Sequence, residues 1–355
     1  MNPSFSIIIP TADRPQQLGR TLASLAPTAR TVRRLEILVV DSGAPAATAE
    51  TVAQFAQLYP LTRYIDEPVP GRLSGRHRGA LEARGDVLAF LDDDVEVSPG
   101  WFTALQTIFS DDEVQLAGGP SLPRYAVRPP DWLDGLVRRD RQSWRLPLFS
   151  LIDLGPRLRQ VDPRTLQGLN LAIRRQTVFD HGGFHPDRMP AVLQRWQGDG
   201  ERSLLARLAH AGVTAAYHPG ARVHHWIPAE RLTVDHLEQC AARVGAADSF
   251  TALRREHGLA AADRRHWWNA AEPFGGRLGV SSPQLAFHPL QRRLVTAYRS
   301  GAEVHRREAA RDARLRDWVL RPDYWDYRLP ASPEPPVLLP ISPLVPTDAP
   351  GVLSS

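Results

Sequence analysis

Residues 87–99 read VLAFLDDDVEVSP, five apolar residues running directly into three aspartates. A run this short and apolar fits a strand buried on both faces, so the chain must fold in a way that delivers a carboxylate cluster to a sheet edge. Three adjacent carboxylates repel one another and raise each other's pKa unless a cation or strong donors hold them ionised. Mg2+ and Mn2+ take oxygen ligands of this kind and share their remaining positions with phosphate oxygens. The bland alternative is a solvated acidic turn before a helix capped by Ser98 and begun by Pro99.

The surrounding segments frame the cluster. FSIIIPTADRP (5–15) is a short apolar run broken by Pro10, then a polar turn, then Leu18, Leu22 and Leu25 at helical spacing. LEILVVDSG (35–43) repeats the pattern: its apolar run ends in Asp41, and Val52, Phe55 and Leu58 then share one helical face. A third strand over 61–65 leads to a helix over 70–85, with Gly85 as its C-terminal stop. This alternation predicts an α/β fold with a mostly parallel central sheet flanked by helices. Ligands of open sheets collect outside the carboxyl ends of the strands, where Thr11, Asp13, Asp41 and Asp92 to Asp94 all fall. Motifs argue against two competitors: no G-x-G-x-x-G follows the first strand, and a chain without lysine has no G-x-x-x-x-G-K-[ST].

FSIIIPTADRPQQLGRTLASL, LEILVVDSGA, GRHRGALEARGDVLAFLDDDVEVSPGWF and the later GLNLAIRR, GGFHPD and GDGERSLLARLAHAG together resemble glycosyltransferase family 2, whose members have the GT-A fold. The resemblance runs in the family's order over roughly residues 5 to 235. It implies that Thr11 and Asp41 lie around the base and ribose of a nucleotide-sugar donor, with Pro10, Asp13 and Asp93 in the same donor-binding set. Arg76 would lie near the nucleotide, Asp92 toward the ribose and diphosphate, and Asp94 on a divalent metal ion, Mn2+ or Mg2+. Two positions depart from the family pattern. Asp13 stands where an asparagine is usual, and His77 replaces the asparagine that follows Arg76.

WQGDGERSLLARLAHAG (196–212) places Asp199 and Glu201 just before an amphipathic helix bearing Leu204, Leu205 and Leu208 and ended by Gly212. Carboxylates favour the positive end of a helix, so capping alone accounts for them. The functional alternative is that one of them takes the proton from an acceptor hydroxyl. Alignment on Arg207, Leu208 and Gly212 puts Glu201 at the family's base position, with Asp199 as its rival two residues away. Gly168, Asn170 and Trp196 are expected near the acceptor, whereas Gly182 and Gly183 serve a tight turn. In YHPGARVHHWIP (217–228) the family register selects His225 over His224 as a further metal ligand.

Cys240 is the only cysteine, which excludes an intramolecular disulfide, and no run of 18 apolar residues marks a membrane span. With no signal-peptide pattern, the expectation is a cytoplasmic protein, peripheral contact with the inner face of a membrane being left open. All 43 basic side chains are arginine, yet the net charge is only +4. Segments 254–268 and 306–321, which mix arginine with tryptophan, read as solvated helix faces with a few buried aromatics; no nucleic-acid partner is expected. The expected division is a catalytic domain over 1–235, a helical region over 236–329 and a proline-rich extended or disordered tail over 330–355.

The sequence thus predicts an inverting, metal-dependent glycosyltransferase of bacterial glycan or glycoconjugate synthesis. Its donor would be a UDP-, dTDP- or GDP-linked sugar and its acceptor a glycan, lipid-linked or other hydroxyl. Two alternatives remain. One is a nucleotide-sugar-binding protein without turnover, motivated by Asp13, Ser42 and His77. The other is a nucleotidyltransferase, whose usual glycine- and lysine-rich N-terminal loop this chain lacks.

Overall fold

The computed structural model describes residues 3–31, 34–43, 45–260, 289–326 and 328–330. Four parallel strands, β1 (Phe5–Thr11), β2 (Leu35–Asp41), β3 (Thr62–Asp66) and β4 (Val87–Leu91), stand in the order β3-β2-β1-β4. They are joined by helices α1 (Pro15–Thr31), α2 (Pro45–Leu58) and α3 (Arg72–Glu82). Side chains alternate between two cores, as the two-residue period of a strand requires. Ile7, Ile9, Val39 and Leu91 pack on one face with Leu18, Leu22 and Leu25 of α1. Ile8, Leu38, Val40 and Phe90 pack on the other. Burial on both faces is why these strands read as unbroken apolar runs.

Beyond β4 come β5 (Val95–Val97), α4 (Trp101–Phe109), β6 (Leu116–Gly118), β7 (Ser121–Tyr125), β8 (Arg138–Arg139), β9 (Trp144–Leu146), β10 (Leu151–Asp153), β11 (Arg159–Val161) and β12 (Asn170–Arg174). They are followed by α5 (Arg175–Asp180), α6 (Glu201–His210), β13 (Ala215–Tyr217) and β14 (Val223–Ile227). The main sheet has eight strands in the order β11-β13-β6-β12-β4-β1-β2-β3. Its parallel character is interrupted by β12, antiparallel to both β4 and β6, and by β11, antiparallel to β13. A second, six-stranded sheet, β5-β14-β7-β10-β9-β8, was not foreseen. Several of its strands are only two or three residues long, too short for a two-residue period to register.

Two helix boundaries differ from expectation. α4 begins at Trp101 rather than Pro99: Gly100 takes φ 86°, and the Ser98 carbonyl accepts from the Trp101 amide in a turn before the helix. α3 ends at Glu82, and Gly85 is not its stop. Gly85 is needed because a Cβ there would lie 2.5 Å from the Ser6 nitrogen.

The C-terminal part is helical among the described residues, with α7 (Val234–Glu256), α8 (Pro289–Arg311) and α9 (Ala313–Val319). α7 and α8 cross at glycines: a Cβ on Gly245 would meet the Tyr298 carbonyl oxygen at 2.0 Å, and one on Gly301 the Ala242 carbonyl oxygen at 2.0 Å. Leu315, Trp318, Val319 and Tyr324 share one core with Phe184, Trp196 and Leu204, so this region is packed into the sheet-bearing part. Arg254 is not on a solvated face as expected. It is buried and donates to the Val319 and Arg321 carbonyls, both at 2.6 Å, closing the end of α9. Residues 261–268 of the arginine–tryptophan segment and 331–355 of the proline-rich tail lie outside the described residues.

Candidate active site

The parallel strands end flush, with Thr11 in register with Asp41 and Asp41 with Asp66, so their following loops open on one side of the sheet. β4 delivers Asp92 to Asp94 to the same side. β14 pairs antiparallel with β5, setting His225 opposite Val95, and the Trp226 amide donates to the Asp94 carbonyl at 2.8 Å. A histidine 131 positions further along the chain is thereby placed against the aspartate cluster.

Each aspartate of the cluster has different partners. Asp93 is buried and accepts from the Thr11 hydroxyl at 2.8 Å and from Arg14 at 2.6 Å. Burial pushes its carboxyl up to about 6 against the pull of Arg14. Asp94 lies 3.0 Å from Arg231, 3.2 Å from Arg14 and 3.5 Å from Nε2 of His225. Burial opposes its ionisation, but these neighbours outweigh burial and hold it well below the usual carboxylate range. Nδ1 of His225 lies 2.9 Å from the Phe149 carbonyl, which can only accept, so Nδ1 carries the proton. Nε2 is left to face the cluster, and in the tautomer protonated only at Nδ1 it offers the lone pair that a metal-ligating histidine needs. The Arg231 guanidinium lies against both the Asp94 carboxylate and this lone pair, at 3.0 and 3.1 Å. A carboxylate oxygen and an imidazole nitrogen thus converge on one positive charge, and the donor set fits a divalent cation. Among the described residues no group of three or more His, Cys, Asp or Glu is placed to hold a metal ion by itself.

Arginines connect this cluster to the candidate base. Arg72, at the start of α3, donates to Asp92 at 2.8 Å and to Asp187 at 2.8 and 2.5 Å, and approaches Glu201 at 3.5 Å. Arg76, one turn on and fully buried, donates to Glu201 at 3.2 Å and to the Gly168 carbonyl at 3.0 Å, with Asp92 at 3.5 Å. Burial works against a charge on Glu201, but Arg72 and Arg76 together hold its carboxyl down at about 2. Gly168 makes this packing possible: a Cβ there would sit 2.7 Å from the Glu201 carboxyl carbon and 2.9 Å from an Arg76 nitrogen. The sequence did not single out Arg14, Arg72, Asp187 or Arg231. A glycine before Arg72 with φ 111°, and a proline-flanked loop after β14, are the only local signals near them.

Asp199 is engaged on both oxygens, by His185 at 2.7 Å and by the Thr251 hydroxyl at 2.7 Å. Burial is outweighed by these partners, which keep it at about 2. The structure therefore separates the two rivals: Glu201 meets the arginines of the cluster, and Asp199 ties the start of α6 to α7.

Two cavities of about 360 Å³ each meet here. The first is lined by Pro10, Thr11, Asp13, His225 and the three aspartates, and the second by Glu201 and Asp199. Arg72, Leu148, Ser150, Arg188 and Cys240 border both. Asp13, Ser150 and Arg188 are also the non-glycine residues with positive φ among the described residues, at 55°, 54° and 52°. Strained backbone of this kind concentrates at functional sites.

Five of the expected contact residues are engaged by other protein groups. Asp41 is fully buried and braces the turn after β2, accepting from the Gly43 amide at 2.9 Å and the Tyr64 hydroxyl at 3.2 Å. Asn170 is held between the Trp101 indole N–H and the Ala221 carbonyl, at 2.9 and 2.8 Å. Trp196 is buried under α9, its carbonyl accepting from Trp318 at 2.9 Å. Arg76 and Gly168 support Glu201 from below. His77, the departure beside Arg76, faces away: Nδ1 donates to the Tyr324 carbonyl at 3.0 Å, Nε2 accepts from the Phe184 amide at 2.9 Å, and its ring stacks on Trp325.

Residues 6–170 match the family model described as Glycosyl transferase family 2. The match covers a little under half of the chain, and the fold is GT-A. Glycosyltransferase AglE of Haloferax volcanii is 30% identical over 118 residues, which are 33% of this chain and 39% of that protein. The glucosyl-dolichyl phosphate glucuronosyltransferase of the same organism is 22% identical over 67% of this chain and 73% of its own length. The succinoglycan biosynthesis protein ExoM of Rhizobium meliloti is 26% identical over 73% of this chain and 77% of its own. Among solved structures, a Pyrobaculum calidifontis mannosyltransferase in complex with GDP-Man and Mn2+ superposes with a TM-score of 0.51 and 16% identity, covering 92% of this chain and 86% of that one.

Proposed function

We propose that the chain is an inverting glycosyltransferase that moves a sugar from a nucleoside-diphosphate donor to an acceptor hydroxyl, with a divalent cation at Asp94 and His225. The observation that carries this reading is the placement of an ionised Glu201 across Arg72 from the aspartate cluster, at the border of two joined cavities. The first cavity takes the nucleotide and diphosphate, and the second takes the acceptor. The match of residues 6–170 to the family model supports the reaction class, and the similarity to a succinoglycan biosynthesis protein supports a role in glycan assembly.

Glu201 accepts the proton of the acceptor hydroxyl, and the freed oxygen attacks the anomeric carbon as the bond to the nucleoside diphosphate breaks. One displacement from the face opposite the leaving group inverts the centre. A cation held by Asp94 and His225 would supply Lewis-acid stabilisation of the departing diphosphate. Arg14, Arg72, Arg188 and Arg231 line the same cavity and are able to meet the same negative charge. When Arg72 turns toward a diphosphate, Glu201 loses one of the two cations that depress its pKa and becomes a stronger base. Donor hydrolysis or transfer with a panel of UDP-, dTDP- and GDP-sugars and Mn2+ tests the proposal. Nucleotide binding with no turnover on any donor and acceptor would favour the binding-protein alternative, and pyrophosphate release from a nucleoside triphosphate would favour a nucleotidyltransferase.

A further inference from the structure

Helix α7 turns different faces to different neighbours. Gly245 is pressed against α8, while Cys240, Arg243 or Val244, Ala247, Thr251 and Arg255 recur every three or four residues and border the second cavity. The acids of that cavity are already engaged: Asp187 and Glu201 by Arg72, and Asp199 by His185 and Thr251. Seven arginines line it; Arg72 pairs with its acids, Arg164 with Asp162 and Arg202 with Asp248. Arg243 and Arg255 form no ion pair among the described residues. Beside them lie Pro147, Leu148, Leu205 and Val244, an apolar wall.

A cavity with surplus guanidinium groups next to an apolar wall is complementary to an anionic amphiphile. We propose that the acceptor of this enzyme carries a phosphate-type anion, which Arg243 and Arg255 bind, next to an apolar portion that lies on Leu148, Leu205 and Val244. This rests on the transferase reading of the second cavity as the acceptor site. The arginines of α7 contribute to acceptor choice and not to the displacement itself.

Calorimetry on the full chain with three probes tests the assignment: octyl phosphate below its micelle concentration, octyl β-glucoside and glycerol 1-phosphate. Octyl phosphate is expected to bind at least about tenfold tighter than either of the others, since each charge-assisted hydrogen bond contributes about a factor of ten. The double substitution Arg243→Ala, Arg255→Ala should remove most of that preference, and the Arg243→Lys, Arg255→Lys pair should keep much of it. Octyl glucoside or glycerol phosphate binding as tightly as octyl phosphate, or an alanine pair that binds like the parent, would overturn the proposal. Binding of UDP and GDP with Mn2+ is measured on the same samples. Nucleotide binding without a preference for octyl phosphate sinks the acceptor class alone; arginine-dependent octyl phosphate binding without any nucleotide binding sinks the transferase reading and leaves the anion site standing.

Discussion

Glu201 and Asp199 are two residues apart and both held ionised, yet their partners give them different work. Replacing Glu201 by Gln preserves size and hydrogen bonding to Arg76 but removes proton acceptance, so transfer should fall by roughly 100-fold or more with nucleoside-diphosphate affinity little changed. Asp199→Asn weakens the pairing with His185 and should instead lower the thermal midpoint. Near-normal turnover in Glu201→Gln together with loss of turnover but intact donor binding in Asp199→Asn would exchange the roles. A second expectation concerns Arg231, whose guanidinium occupies both Asp94 and the His225 lone pair. Arg231→Ala should bind Mn2+ alone about tenfold more tightly, the size of one charge-assisted hydrogen bond released, whereas Asp94→Asn should bind it poorly. Manganese spin resonance without nucleotide reads this directly, and weaker Mn2+ binding by Arg231→Ala would contradict the shared-site geometry. These assignments were only half legible in the sequence. The aspartates and Glu201 stand at strand and helix ends that local patterns locate, but which carboxylate meets an arginine and which meets a histidine depends on tertiary contacts. The protein partners of Asp41, Asn170 and Trp196 were hidden for the same reason: a polar or aromatic residue at an element's end looks alike in sequence whatever it packs against.

At the scale of elements, the first four strands and three helices were readable because burial on both faces writes itself as apolar runs separated by helical periodicity. The second sheet was not, since its short strands carry too little pattern, although one of them brings His225 to Asp94. The crossing of α7 and α8 was equally hidden. Gly245 and Gly301 lie 56 residues apart, and nothing local marks either as an interhelical contact. Gly245→Ala would place a Cβ 2.0 Å from the Tyr298 carbonyl oxygen and must push the helices apart, at a cost of about 1 to 3 kcal/mol. A helix would also gain about 1 kcal/mol from Ala in place of Gly, so a net fall in the thermal midpoint shows that the crossing dominates. A midpoint raised above the parent's would show that the two helices are not held at this distance.

Across the whole molecule, three buried histidines hold the C-terminal helices to the sheet-bearing part and to each other. His77 of α3 bonds the Tyr324 carbonyl, His185 packs edge-on against Phe250 and Tyr324, and His305 of α8 bonds Ser249 of α7. Burial pulls their pKa values down to about 3, 4 and 4 from an ordinary 6.5. Arg76, Arg207 and Arg254 face the first two rings; the Tyr324 carbonyl at His77 and Asp199 beside His185 draw a proton toward them, but burial outweighs both. The unfolded chain therefore takes up protons before the folded one does. Stability from these rings is full above about pH 6.5 and is lost as pH falls toward 4 and 3. At pH 5 each neutral ring costs about 2 kcal/mol relative to neutral pH, because the unfolded histidine is already charged. Asp93, pushed up to about 6, is protonated in the folded state and offsets about 1 kcal/mol of that loss. Denaturant unfolding at pH 7.5 and pH 5 should show a net fall of several kcal/mol. His77→Asn should shrink the difference between the two pH values by about 2 kcal/mol, whatever it does to stability at either one. Equal stability at the two pH values would mean that these rings take up protons in the folded protein, and that the C-terminal helices are not docked through neutral, buried histidines.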